Sequence, residues 1–182
     1  LQKISRESFI FYEPRDIVSG DFYWFGEVDN KVIIIAADCT GHGVPGAFMS
    51  MYGIAFLNEI INKEKIFKPN EILNSLRDKI AGSLNRSDNE FETMDGMDMS
   101  LLTFDPESNT VLFGGANNPM YLVRDGQIKM YSADKMPVAY YQKMDPFQLT
   151  SLEVQQGDCL YIFTDGIIDQ FGGELGKKFL SR

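Results

Sequence analysis

The stretch IIIAADCTGHGVPGAFMS at positions 33–50 constrains the fold of this chain most strongly. It opens as an apolar run, which is typical of a buried strand, and it reaches Asp38 where that run ends. Gly41 and Gly43 follow and permit a tight turn, and Pro45 suits the first turn of a helix. The pattern predicts a strand, a glycine turn and a helix, with a carboxylate at the edge of a sheet.

Hydrophobic periodicity along the rest of the chain predicts an α+β fold. Aromatic and β-branched residues indicate early strands or extended edges over 9–13 and 17–25, and helical spacing indicates helices over 44–62 and 69–84. A last helix is expected near Asp165. Runs of strands beside grouped helices favour helices packed on stacked antiparallel sheets. The other predicted strands lie at 31–37, 98–104, 109–115, 119–124, 127–131, 147–154 and 158–163.

Length and charge narrow the class of protein. A chain of 182 residues suits one domain, and its net charge of −9 argues against nucleic-acid binding, which needs a basic patch. Two cysteines are too few for a disulfide scaffold or a zinc cluster, so a reducing, cytoplasmic location is predicted. We find no apolar run approaching the ~20 residues of a membrane helix, and therefore expect no membrane contact.

Three aspartates stand at or near the ends of predicted strands. Asp38 and Asp165 each follow an apolar run and precede a glycine-bearing turn, and Asp21 lies beside Gly20 in an aromatic segment. Carboxylates delivered to one sheet edge repel one another unless cations neutralise them, and Mg²⁺ or Mn²⁺ would suit such oxygen ligands. A single aspartate in this setting is ordinarily a turn former or a helix cap. Periodicity alone leaves both interpretations open.

Other residues near these acids have two interpretations each. Arg15 is the basic residue nearest the first acid block, and it is either a bidentate phosphate clamp or a surface arginine. Asp98 begins a strand, where it either approaches the acids or caps a loop. His42, between glycines, is either a turn residue with a structural hydrogen bond or a catalytic residue, and the turn is the favoured interpretation. Cys39 is expected to contribute its backbone, because the chain has no second histidine to activate a nucleophilic thiol.

Four segments together resemble the SpoIIE/RsbU-like branch of the metal-dependent (PPM) protein serine/threonine phosphatases. The resemblance implies an α-β-β-α sandwich of two antiparallel sheets flanked by helices. The family closes its site with a further aspartate motif that is not found here, so we expect one domain over 1–182 with its C-terminal part missing. The segments are PRDIVSGDFYW (14–24), AADCTGHGVPGAFMSM (36–51), GANNPMYLVRDG (115–126) and LYIFTDGIIDQFGG (160–173).

The same resemblance implies a role for each matched acid in a site for two divalent cations, Mn²⁺ or Mg²⁺. Asp38 resembles the ligand that bridges the two ions. The backbone carbonyl of Cys39 and the carboxylate of Asp21 resemble ligands of the second ion, and Asp165 resembles a ligand of the first. Asp21, Asp38 and Asp165 are therefore the expected catalytic set.

The activity implied is hydrolysis of phosphoserine or phosphothreonine on a regulatory protein, by two-metal activation of a water. The resemblance points to a STAS-type anti-sigma-factor antagonist as the substrate, within a bacterial partner-switching pathway. It also implies an upstream sensor domain in the parent chain, and leaves a homodimer open. The alternative is a non-catalytic or weakly active scaffold that keeps the phosphatase fold. Retention of all three acids favours the enzyme.

Overall fold

The computed structural model describes residues 8–14, 16–41, 43–84, 96–139, 144–172 and 176–178. In chain order their elements are β1 (Phe22–Val28), β2 (Lys31–Cys39), α1 (Gly43–Asn58) with a π-helical continuation (Glu59–Lys63), α2 (Pro69–Leu84), β3 (Met97–Asp105), β4 (Thr110–Ala116), β5 (Met120–Arg124), β6 (Gln127–Tyr131), β7 (Thr150–Glu153), β8 (Cys159–Tyr161), a 3₁₀ turn (Asp165–Ile167), β9 (Phe171–Gly172) and β10 (Lys177–Lys178). Two strands come first, then a helical excursion made of α1, its continuation and α2, and then the remaining strands.

The strands form two principal antiparallel sheets. The first has the order β1-β2-β3-β4-β7, the second has the order β6-β5-β8, and β9 pairs with β10 separately. Asp29 and Asn30 close the β1–β2 hairpin with left-handed φ angles of 50° and 61°, which short polar side chains tolerate. Strands β2 and β3 pair although α1 and α2 separate them in the chain. The chain therefore leaves the first sheet after β2, forms both helices, and returns to the same sheet as β3.

Alternation along the strands assigns the two faces of the first sheet. On β2, Ile33 and Ile35 are fully buried in a cluster with Leu76 of α2, whereas Ile34 packs in a second cluster with Leu122 of β5. Successive strand residues point to opposite faces. One face of the first sheet therefore packs on the helices and the other on the second sheet, which confirms the predicted sandwich.

The predicted elements match the observed ones except near the two ends of the chain. Both helices are confirmed, and the strand expected over 17–25 begins later, at Phe22. Of the two forms predicted over 9–13, the strand is not observed, because this aromatic run pairs with no other described strand and Phe9 is 81% exposed. The helix expected near Asp165 is one 3₁₀ turn. Gly166 lies in that turn, and glycine is a poor helix former.

The helix α1 with its continuation, Gly43–Lys63, is long and apolar enough to cross a membrane by length and composition alone. The expectation that no segment approaches this length was therefore wrong. The finding is weak support for a membrane span, because a core helix passes the same test. Here Leu57 and Ile60 are fully buried in the core, while Phe48 and Met51 on another side are more than half exposed.

Candidate metal centre

Two acids face each other across the central strand pair. Asp38 is the penultimate residue of β2, and it is the cross-strand partner of Asp98, the second residue of β3. Directly opposed residues carry their Cβ atoms about 4.5–5.5 Å apart on the same face. Asp38 shares the alternation of Ile34, so both acids lie on the face that turns toward the second sheet.

Two further acids reach this point from other elements. Asp21 immediately precedes β1, whose first residue, Phe22, pairs with Ala37 of β2. Asp165 opens the 3₁₀ turn after β8. The carboxyl group of Asp38 lies close enough to the carboxyl groups of Asp21 and Asp165 to interact with both. The structure thus brings together the three acids singled out from the sequence, at one end of the sandwich.

Crowding and burial disfavour a negative charge on Asp38. Burial, followed by the charges and hydrogen bonds of Asp21 and Asp165, raises the pKa of Asp38 from 3.8 to about 8. Burial and the charge of Asp165 also raise the pKa of Asp98, against a hydrogen bond from Asn117 that lowers it. Without a cation, protonation of Asp38 at neutral pH relieves part of the repulsion among these acids.

Uncharged hydrogen-bond donors contact the carboxylates of Asp21 and Asp98. The Thr164 hydroxyl donates to Asp21 Oδ2 over 2.7 Å, and the Asn117 side-chain amide donates to Asp98 Oδ1 over 2.8 Å. The backbone N–H of Asp21 donates to the Ser19 hydroxyl over 3.0 Å. The first two bonds restrict the orientation of a carboxylate, and the third fixes the backbone next to Asp21.

Glycines allow the backbone around Cys39 to pack closely. A Cβ atom at Gly20 would lie 2.9 Å from the carbonyl oxygen of Cys39 and 2.8 Å from that of Gly41, and a Cβ at Gly46 of α1 would collide with the Gly41 carbonyl. Gly41 itself has a φ of 91°, which favours glycine. These contacts explain locally why the turn after β2 is rich in glycine.

The thiol of Cys39 is inert as a nucleophile. Its side chain is buried, and burial, with the charges of Asp38 and Asp21, raises its pKa to about 12. A thiolate, which is the reactive form, is absent at neutral pH under these conditions. The prediction that Cys39 acts through its backbone agrees with this state of the thiol.

The donor set fits hard divalent cations, although it is not closed around one. Carboxylate and carbonyl oxygens are the ligands that Mg²⁺ and Mn²⁺ prefer, and an excess of negative charge, visible in the raised pKa of Asp38, favours cation binding. Among the described residues, no group of three or more His, Cys, Asp or Glu side chains is positioned to hold a metal ion as it stands. Like charges spread apart when no cation lies between them.

The sequence pattern missed the neutral residues that support the acids. Thr164 and Asn117 stood within quoted segments, TDG and GANNP, but nothing in their spacing distinguishes a hydrogen-bond donor from a turn residue. Gly20 carried a weak signal, since glycine permits a close backbone approach, which the structure shows at this position. Arg15 and His42 lie outside the described residues, so the two interpretations of each remain predictions.

Two antiparallel sheets with acids gathered at one end define a PP2C-type fold, the fold of serine/threonine phosphatases. The PP2C domain of SiaA from Pseudomonas aeruginosa has a TM-score of 0.82 and 29% identity, over 95% of this chain and 66% of that one. The PP2C domain of SpoIIE from Bacillus subtilis, solved with a fragment of its regulatory domain, has a TM-score of 0.68 and 22% identity, over 85% of this chain and 44% of that one.

The sequence model of the family described as Stage II sporulation protein E (SpoIIE) matches residues 28–181, which is most of the chain. The chain belongs to the SpoIIE family, and the resemblance found in its sequence is confirmed. Among curated proteins no match is found. The chain spans less than two thirds of the SiaA domain and less than half of the SpoIIE structure.

Two structures with the same fold were solved with metal ions. The catalytic domain of the serine/threonine phosphatase PstP is in complex with two manganese ions, at 18% identity and a TM-score of 0.62, over 88% of this chain and 76% of that one. RsbX is in complex with magnesium, at 16% identity and a TM-score of 0.64, over 84% of this chain and 69% of that one. At these identities the likeness establishes the fold alone.

Proposed function

We propose that this chain is a phosphatase domain that requires two divalent cations, Mn²⁺ or Mg²⁺, and hydrolyses phosphoserine or phosphothreonine on a protein. The observation that carries the proposal is the meeting of Asp21, Asp38 and Asp165 at one end of the sandwich, where Asp38 interacts with both others. Such a concentration of acids destabilises the fold, and a cation site gives it a purpose.

Each residue of the proposed catalytic set has a specific task. Asp38, between the two other acids, would be shared by both ions. Asp21 and the backbone carbonyl of Cys39 would serve one ion, and Asp165 the other. Bound ions supply the activation of a water and the neutralisation of charge on the phosphoryl group. The metals named with PstP and RsbX support this choice of cation.

The chain's own groups favour attack by water over a phosphorylated enzyme. The Cys39 thiol is buried and protonated, because its pKa is about 12. The Thr164 hydroxyl is engaged with Asp21 over 2.7 Å and so is oriented as a support. Asp98 adds a fourth acid at the same end of the sheet, and Arg15 remains our candidate for binding the phosphate.

We further propose a regulatory phosphoprotein, a STAS-type anti-sigma-factor antagonist, as the substrate. Family membership supports this class of substrate, and the regulatory fragment solved with SpoIIE supports a sensor domain upstream in the parent chain. We also propose that residues 1–182 form one phosphatase domain that acts in the cytoplasm, with a homodimer as an open arrangement.

One observation favours the alternative, a scaffold that keeps the fold with little or no activity. The acids among the described residues are not yet arranged around a common point for a metal. In that case the domain would bind its regulatory partner without hydrolysing it, and Mn²⁺ would change neither its stability nor its binding.

Release of phosphate from a phosphoserine protein, measured with and without Mn²⁺ or Mg²⁺, tests the proposal. Asp38→Asn should lower the rate by about 10³-fold, since several kcal/mol of charge stabilisation are lost. Asp105→Asn is the matched control, because Asp105 lies at the far end of β3 against Lys31, and it should retain the wild-type rate.

The same assay on a chain extended beyond residue 182 tests whether a further aspartate motif adds to the rate. If neither chain releases phosphate with either cation, the scaffold takes the place of the enzyme. If Asp38→Asn and Asp105→Asn behave alike, the assignment of the catalytic set is wrong.

A further inference from the structure

Asn117 occupies a position next to the acids that the catalytic set leaves unexplained. Strand β4 ends at Ala116, which pairs with Met99 of β3, so Asn117 follows directly beside the end of β3 that carries Asp98. Its side-chain amide donates a 2.8 Å hydrogen bond to Asp98 Oδ1. Both side chains are half-buried, where such a bond is less exposed to competition from water.

The backbone of Asn117 is fixed on both sides. Its N–H donates to the Asp134 carbonyl over 2.8 Å, and the Asp134 N–H donates in turn to the Gly115 carbonyl over 3.0 Å. Asn117 has a φ of 59°, a left-handed conformation that asparagine tolerates better than most residues. An asparagine here would be an ordinary turn residue if its side chain faced water, but its amide is aimed at a carboxylate of the acid cluster.

The bond gives Asp98 a defined orientation that it would otherwise lack. Asp98 stands opposite Asp38 in the β2–β3 register, and it lies near enough to Asp165 for their charges to interact. Repulsion from these neighbours would turn a free Asp98 side chain outward. A neutral donor can hold the carboxylate inward without cancelling the negative charge that a cation needs. Thr164 has the equivalent relation to Asp21.

We propose that Asn117 is a positioning residue of the cation site, which acts by holding Asp98 toward the other acids so that Asp98 takes part in binding a divalent cation. The inference rests on the proposed function, and it extends the site by one acid and by the donor that orients it. Groups that orient metal-binding side chains typically change metal affinity about 10–100-fold when they are removed.

The variant Asn117→Gly isolates the side chain, because glycine adopts the left-handed conformation without strain. Its matched control is Asn109→Gly at the other end of β4, where Asn109 is exposed and has a φ of 50°. We would measure Mn²⁺ affinity by titration, following free Mn²⁺ by electron paramagnetic resonance, and check folding by Tm. Asn117→Gly should weaken Mn²⁺ binding about 10-fold, and Asn109→Gly should leave it unchanged.

A double-mutant cycle with Asp98→Asn separates positioning from a general structural role. If Asn117 acts through Asp98, then Asn117→Gly changes Mn²⁺ affinity less than about 2-fold in the Asp98→Asn background. Equal effects in both backgrounds, or no effect in the wild type, overturn the inference.

The cycle also distinguishes this inference from the proposed function. A wild type that binds no Mn²⁺ overturns both. A wild type that binds Mn²⁺ with the expected cycle, but releases no phosphate, preserves the role of Asn117 and removes the enzyme. If the wild type hydrolyses the substrate but Asn117→Gly leaves the Mn²⁺ affinity unchanged, the enzyme is preserved and the role of Asn117 is overturned.

Discussion

At the end of the first sheet Asp38 lies among other acids, whereas Asp158, next to the second sheet, lies against an arginine. Burial and neighbouring acids raise the pKa of Asp38 to about 8. Hydrogen bonds from Arg124, over 2.8 Å to Oδ1, and from the Gln155 N–H hold the pKa of Asp158 down to about 2. The pKa values of the two aspartates therefore shift in opposite directions. The ionised form is favoured at Asp158, where the fold itself supplies a positive charge, and is disfavoured at Asp38, where it does not.

The largest expected effect comes from disturbing the backbone at the acid end. Gly20→Ala would place a Cβ atom 2.9 Å from the Cys39 carbonyl and 2.8 Å from the Gly41 carbonyl, so the turn after β2 must shift. We expect Tm to fall by about 5 °C or more, as for other overpacked sites, and Mn²⁺ affinity to fall with it. Thermal unfolding and Mn²⁺ titration measure both. Gly126→Ala, at the β5–β6 turn, is the control. It adds a Cβ atom at a positive φ but brings it within 4 Å of no neighbour.

A Gly20→Ala protein with lowered Tm but unchanged Mn²⁺ affinity would separate the two effects. The Cys39 carbonyl would then not be among the ligands, and the close approach at Gly20 would serve packing alone.

Removing the charge of Asp38 should stabilise the metal-free protein. The raised pKa means that the folded state binds a proton more tightly than the unfolded state, so this contribution is present below pH ~4 and is lost as the pH rises through about 8. Asp38→Asn should therefore have a Tm about 3 °C above wild type at pH 9, and a smaller advantage at pH 5. Thermal scans with a chelator present measure the difference.

Adding Mn²⁺ sharpens the same experiment. Saturating Mn²⁺ should raise the Tm of the wild type, because a ligand that binds the folded state stabilises it, and should leave Asp38→Asn unchanged. If the wild type and Asp38→Asn show parallel Tm profiles between pH 5 and pH 9, the acid cluster carries no electrostatic cost.

The smallest effect is expected at the paired acid. Arg124→Gln removes the counter-charge of Asp158, and it should lower Tm by about 2 °C at pH 7, since a partly exposed ion pair contributes little. Asp158 has a lowered pKa, so the contribution of the pair is present above pH ~4 and disappears as the pH falls through about 2. The Tm difference should therefore vanish in strong acid, while phosphate release at pH 7 stays at the wild-type rate.

The sequence predicted most of the regular elements because their signals are local. Strand β2 is a continuous apolar run and α2 has helical spacing behind Pro69, so neither needed tertiary information. The segment 9–13 has the composition of a strand, but a strand requires a partner edge, and no local pattern encodes that partner.

The site was likewise predictable only as far as its signals are local. Asp38 and Asp165 are marked by apolar runs that end in acids before glycine turns, and family resemblance added the role of each. The alignment of Asp98 with Asp38 depends on a pairing between strands that two helices separate in the chain. The donors Thr164 and Asn117 depend on distances across the sandwich, which no spacing in the sequence records.

The register of β2 with β3 has a consequence for how this domain can diverge. Pairing between the strands keeps Asp38 opposite Asp98, so the helical excursion between them has no part in setting that alignment. Changes of length within the helical excursion, beyond the glycine turn that follows β2, therefore leave the acids in place. A single residue gained within β3 ahead of its pairing would turn Asp98 to the opposite face. The excursion is thus the part of the domain where new sequence can be accepted, and the strand ends are where a change of length would displace the acids.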